Sequence, residues 1–201
     1  MSAEQLDGGE VAFVTRNKHK FEEASYVLSH FGVRVVQVDL ERVEIQSDDL
    51  SEIALTGAKQ ASLRLGRAVV VEDAGLFVDA LNGFPGPYSS YVFRTIGIRG
   101  ILKLMSGVGD RRARFESAVA YCDPSGECRV FRGVALGVIA LEPRGSGGFG
   151  FDPIFIPDEG GGLTYAEMSF ERKCEISHRA KAFKAFGEWF TSCMRNKLKY
   201  L

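Results

Sequence analysis

No apolar run in this chain approaches the roughly 20 residues needed to cross a bilayer, so a transmembrane helix is excluded. The opening "MSAEQLDGGE" lacks the apolar core of a signal peptide, so residues 1–9 are expected to form a flexible tail before a single domain over 10–201. Neither sign of charge dominates. With 25 Lys and Arg against 26 Asp and Glu, no global field would draw nucleic acid or an anionic membrane, and any anion site must be local. There are no repeats and no low-complexity segments. Cysteine is scarce: none of the four forms a CxxC pair or stands near a His at metal-ligand spacing, so no zinc site is expected. Cys122 and Cys128 flank the turn sequence "DPSGE" and could face each other across a hairpin. The expectation is nonetheless reduced thiols in a cytoplasmic protein, since disulfides are rare there.

Apolar spacing supplies the elements. "VAFVTRNKHKFEEASYVL", residues 11–28, reads as a buried strand, a short turn and an amphipathic helix. "VRVVQV", residues 33–38, is a second strand. Ser51 then opens a helix with Ile53, Ala54, Ala58, Ala61 and Leu65 on one stripe. "AVVVEDAGLFVDAL" reads as a central strand ending in two carboxylates, Glu72 and Asp73. "NGFPGPYSSYVF" reads as a loop, followed by a helical stretch near Ile98–Met105. Two long strands, "RARFESAVAYCD" and "CRVFRGVALGVIA", meet at the "DPSG" turn. A glycine-rich loop and a short strand lead to a last helix from about Ser177, burying Phe183, Phe186, Phe190 and Cys193. Strand–helix alternation in front of a long hairpin predicts an α/β protein with a mixed sheet.

Two helix starts break an electrostatic rule. Lys18, His19 and Lys20 crowd the first turn of one helix, and His178, Arg179 and Lys181 crowd that of the last, behind Ser177. The positive end of a helix dipole repels cations by about 0.3–1 kcal/mol at an exposed position. A bound anion would reverse that sign, because backbone N–H groups and side-chain cations would act together. The bland alternative is solvated surface charge. Two such clusters favour a phosphate-rich ligand.

Glu72 and Asp73 sit where open α/β sheets place ligands, and Glu44 lies in the acidic loop "ERVEIQSDD". Such oxygen donors suit Mg²⁺, which takes one or two carboxylates plus substrate phosphates. A carboxylate beside a metal-bound polyphosphate can also orient or deprotonate water. The alternative is a strand end reaching solvent. In "GGFGFDP", Phe149 and Phe151 could offer a ring to a planar base, with Gly150 allowing close approach and Asp152 accepting from a base or ribose edge. A loop tucking aromatics into the core would account for one of the two rings. Together these features describe a site for a magnesium-bound nucleoside polyphosphate.

In register along Val11–Phe190, the motifs resemble the inosine/xanthosine triphosphate pyrophosphatase family, in an archaeal form. They are "FVTRNKHK", "VVVEDAGL", "GFPGPYSSYV", "GFGFDP" and "SHR". The resemblance implies Mg²⁺-dependent hydrolysis of ITP, dITP and XTP to the monophosphate and pyrophosphate, cleansing the nucleotide pool. It implies an elongated mixed sheet flanked by helices, two lobes with the site in the cleft between them, and a cytoplasmic homodimer with no nucleic-acid or membrane partner. Carried over, Thr15, Asn17, Lys20, Lys173, His178 and Arg179 would contact phosphate, sugar or base, in a site that includes Arg16, Lys18 and His19. Glu44 and Asp73 would hold Mg²⁺, Asp73 also serving as base for the attacking water. Phe149 would stack on the purine. The alternatives are a general triphosphatase releasing orthophosphate and a non-catalytic nucleotide-binding protein. Arg16 stands where the family commonly has Gly, and Ala74 where it has Ser. Gly57 stands where a helix lysine is usual, with Lys59 two positions on. The archaeal wording also makes a Cys122–Cys128 bridge less improbable, with reduced thiols still the expectation.

Overall fold

The computed structural model describes residues 9–198; residues 1–8 of the expected tail lie outside the described residues. Strand β1 (Glu10–Val14) is apolar from Val11 onward, and its alternate side chains feed two different cores. Val11 and Phe13 face helices α1 (Lys18–Ser29) and α6 (His178–Leu198), while Ala12 and Val14 face α2 (Leu50–Leu65). Both faces of this part of the sheet are therefore covered, as parallel strands require. Strand β2 (Arg34–Val38) runs parallel to β1 along its length.

Strand β3 (Val69–Val78) joins the two ends of the molecule. It pairs in parallel with β1 only through Val69 and Val70, but antiparallel with β5 (Arg112–Cys122) over its full length. Glu72 and Asp73 are consequently in the middle of the strand, not at its end as the sequence predicted. They stand just past the point where β1 stops and the parallel pairing runs out. Strands β6 (Cys128–Ile139) and β7 (Phe155–Pro157) complete a sheet of order β2-β1-β3-β5-β6-β7, with the short β4 (Pro85–Gly86) on the distal half of β3. The distal half carries its own core, including Leu76, Val78, Phe115, Ile154 and Phe155.

Several predicted boundaries move. Helix α2 starts one residue before Ser51, because the Asp49 carboxylate accepts the Ser51 N–H at 2.8 Å and caps it. The segment read as loop through Phe93 holds helix α3 (Ser89–Thr95), which precedes α4 (Gly97–Leu104). No glycine or proline interrupts Ser89–Thr95, and the Ser89 hydroxyl anchors its start by accepting the Leu76 N–H at 2.8 Å. Helix α5 (Phe170–Ile176) fills most of the charged segment before α6. Cys193 is half-buried and lies outside the apolar cores, unlike its predicted stripe-mates Phe183, Phe186 and Phe190.

The reduced-thiol expectation is overturned for one pair. Cys122 and Cys128 form a disulfide, because the hairpin register sets them directly opposite, with Cα atoms 4.2 Å apart. Cys174 and Cys193 are free thiols.

Helix α6 rests on the sheet at one bare spot. A Cβ on Gly133 of β6 would lie 2.1 Å from the His178 carbonyl oxygen and 2.5 Å from the Ala182 nitrogen, both backbone atoms. Gly133 thus sets how deeply the start of α6 sits. Gly133→Ala is expected to destabilise the fold by about 1–3 kcal/mol, visible as a lower urea midpoint. An unchanged midpoint would mean that the helix is not seated there.

Candidate active site

The β1–α1 turn is held by its own side chains. The Asn17 N–H donates to the Thr15 hydroxyl at 3.1 Å, and the Asn17 carbonyl oxygen of the side chain caps α1 by accepting the Lys20 N–H at 3.1 Å. Arg16 pairs with Asp39 at 2.6 Å in the open. The N-terminal amides of α1 thus point into a rigid, cation-rimmed turn.

Behind that turn lies a buried ion network. Lys20 Nζ is 2.8 Å from Glu72, and Arg179 reaches Glu72 at 3.0 Å and Glu23 at 2.7 Å. Lys173 Nζ is 2.8 Å from Glu23 and 2.6 Å from Asp152. Three cations thus face three carboxylates, and charges this deep persist only when paired in this way. Burial opposes the charge on Glu72, but Arg179 and Lys20 outweigh it and bring its pKa to about 2. Burial opposes Glu23 too, and Arg179 with Lys173 pull its pKa below the ordinary value. Burial works against the Lys173 ammonium, yet Asp152 and Glu23 hold its pKa above normal.

This network gives cations at the two helix starts partners within the fold. Arg179 and Lys20 are neutralised from within, Lys181 pairs with Glu159, and Lys18 lies 3.7 Å from Glu22. Burial lowers the His178 pKa well below normal, and the charges of Arg179 and Lys173 add to the effect. Its ring stacks on Phe115 with centroids 4.6 Å apart, and Nδ1 has no hydrogen-bond partner among the described residues.

The glycine-rich loop divides its aromatics as the two alternatives allowed. Phe151 is buried in the distal core and meets Phe93 edge-on at 5.4 Å. Phe149 stacks on His19 with centroids 5.2 Å apart and planes within 10°, and Lys173 and Arg179 lie against its ring at 4.7 and 5.3 Å. The loop can turn because Gly148 takes φ +67°, where a Cβ would also strike the Asp152 carboxylate at 2.1 Å. One oxygen of that carboxylate accepts the Phe149 N–H at 2.8 Å, so Asp152 also shapes the loop.

Asp73 and Glu44 come together around one guanidinium. Arg42 donates from Nη1 to Asp73 at 3.1 Å and from Nη2 to Glu44 at 3.3 Å. Burial raises the Asp73 pKa, with Lys20 and Arg42 pulling the other way. Two carboxylates that already share a cation fit a metal held chiefly by its substrate's phosphates. They do not form an all-protein cage, and no cluster of three or more potential metal-binding side chains occurs among the described residues.

All the predicted site residues except Lys18 and Lys173 line one cleft of about 690 Å³ between the two ends of the sheet. Lys18 is exposed on the outer side of α1, and Lys173 is buried beneath Phe149. Lys59 is exposed, so it does not take the place of a helix lysine at Gly57; Arg42 fills the space beside that glycine. Sequence reasoning missed Arg42, Glu23 and Phe115. Only Glu23 left a signal, a carboxylate on the buried stripe of α1 beside Ala24 and Val27.

The resemblance drawn from the motifs holds across the chain. The Ham1 family model matches residues 11–189. A protein named dITP/XTP pyrophosphatase from Methanopyrus kandleri is 54% identical over 180 residues, covering 90% of this chain and 95% of that one. Its counterpart of the same name from Thermococcus kodakarensis is 52% identical over 179 residues, covering 89% and 96%. The solved structure of the Staphylococcus aureus Ham1 protein superposes with a TM-score of 0.79 at 30% identity, covering 91% of this chain and 98% of that one. The match takes in β1 through α6, and with them every wall of the cleft, so the chain belongs to the Ham1 family.

Proposed function

We propose that this chain hydrolyses deaminated purine nucleoside triphosphates, ITP, dITP and XTP, to the monophosphate and pyrophosphate. The relatives named dITP/XTP pyrophosphatase support the substrate class. The observation that carries the reading is the layout of the cleft: a flat ring, Phe149, on one side and the paired Asp73 and Glu44 on another, with the capped start of α1 forming part of the wall. The purine stacks on Phe149 in place of His19, and His178, which lines the cleft, meets the base edge. The triphosphate lies against the Thr15–Lys20 turn, where Arg16 exchanges Asp39 for phosphate oxygen.

Asp73 takes the proton from a water attacking the α-phosphorus, and the bond to the bridging oxygen breaks with pyrophosphate as leaving group. Glu44 and Asp73 would hold Mg²⁺, which would supply charge neutralisation to that leaving group. Lys20, fixed on Glu72, adds positive potential beside it. The ends of one sheet share this site, so residues from 10 onward act as one catalytic domain. The reading carries with it a cytoplasmic location with the nucleotide pool and a homodimer, for which exposed Tyr88, Tyr91 and Ile96 offer an apolar face.

The test is product analysis with a panel of ITP, XTP, dITP, GTP and ATP. Pyrophosphate from the first three, with ATP nearly untouched, is the expected outcome. A site paired to a 6-oxo group can reject an unmatched edge by 10⁴-fold or more. Orthophosphate, or equal use of ATP, would replace this reading with a general triphosphatase; binding without turnover would leave a nucleotide-binding protein. Phe149→Ala is expected to weaken ITP binding about tenfold or more, since base stacking contributes roughly 1–3 kcal/mol. Unaltered affinity in a titration would take Phe149 out of that role.

A further inference from the structure

Arg42 has no part in the chemistry described so far, yet it holds both of the cleft's assigned metal carboxylates. It lies between β2 and α2 with its side chain only 14% exposed. Its two terminal nitrogens reach Asp73 and Glu44 at 3.1 and 3.3 Å, so a single planar group bridges the two carboxylates proposed to hold the metal. The seat beneath it is Gly57, on the buried face of α2, where a Cβ would lie 2.7 Å from Arg42 Nη1. The guanidinium thus fits a hollow that any side chain at position 57 would fill.

A guanidinium and a divalent ion on the same two carboxylates repel each other. The planar fork of arginine also matches a phosphate as well as it matches a carboxylate. Resting on the proposed function, we propose that Arg42 is an exchanging counter-ion. It holds Asp73 and Glu44 while the cleft is empty, then releases them and turns to the triphosphate when metal-bound nucleotide enters. The free protein therefore binds metal weakly, and metal and substrate enter together.

Two readings of opposite sign test this. Arg42→Ala, without nucleotide, is expected to bind Mn²⁺ about tenfold tighter than the unaltered protein, measured from free Mn²⁺ by electron paramagnetic resonance. The same variant is expected to lose at least about tenfold in kcat/KM for ITP with Mg²⁺, having lost a charged contact to phosphate. A merely structural arginine would lower both. Gly57→Ala repeats the test from the other side: a methyl group displaces the guanidinium, while alanine is the better helix former and keeps the fold. It is expected to shift both readings in the same directions by smaller factors, and it decides the matter if Arg42→Ala fails to fold. Mn²⁺ binding that is weaker, unchanged or absent in the variants overturns the proposal, as does an unchanged kcat/KM. Failure of the unaltered protein to release pyrophosphate would instead strike the proposed function, and the Mn²⁺ readings would still stand or fall on their own.

Discussion

Asp73→Asn is expected to lower kcat for ITP by at least about 100-fold, with the fold retained. General-base assistance is worth typically 10²–10⁴-fold, and the same change removes a charged oxygen from the metal. The geometry makes Asp73 the candidate over its neighbour Glu72. Adjacent residues on a strand point to opposite faces, and Glu72 is consumed by Lys20, Arg179 and the Ser117 hydroxyl, the last at 2.8 Å. Among the described residues, the Asp73 carboxylate is held by Arg42 alone, on the side of Glu44. Asn is nearly isosteric, so an unchanged denaturation midpoint beside the lost turnover would separate chemistry from folding. A loss of less than about tenfold would remove Asp73 from the proton-accepting role.

Glu23→Gln is expected to cost about 3–5 kcal/mol of stability, because it leaves Lys173 and Arg179 buried with less opposing charge. Urea denaturation at neutral pH measures it. The pH dependence has a definite sign. The folded-state pKa of Glu23 lies below its unfolded value, so its contribution is complete above about pH 4.5. It is lost as pH falls through the lowered folded-state value. The variant should therefore lose stability at neutral pH and lose less of what remains on acidification than the unaltered protein. A variant equal in stability at neutral pH would show that the network tolerates a net positive charge, and that the pairing of Lys173 and Arg179 is not what holds α1 to α6.

Much of this was legible in the chain. The apolar runs "VAFV" and "AVVV" marked strands, and α2's alanine stripe marked the face that packs on them. The site residues near the turn, the strand and the last helix start were legible because special backbone positions need special side chains, as Asn17 and Gly148 show. What stayed hidden depends on partners distant in sequence. Arg179 meets Glu23 across 156 positions, so nothing local showed that the cationic helix start also has a carboxylate partner inside the fold. Arg42 carried no motif, and only the hollow over Gly57 gives it a place. The middle of β3 read as an end because carboxylates usually mark one. Nothing local signalled that the strand continues by pairing with β5.

In the proposed reaction water attacks the α-phosphorus. Hydrolysis of ITP in ¹⁸O-labelled water, with the products resolved by mass spectrometry, tests this most directly. The label is expected in the inosine monophosphate, with the pyrophosphate unlabelled. Label in pyrophosphate would move the attack to the β-phosphorus, label in orthophosphate would move it to the γ-phosphorus, and either would contradict attack at the α-phosphorus.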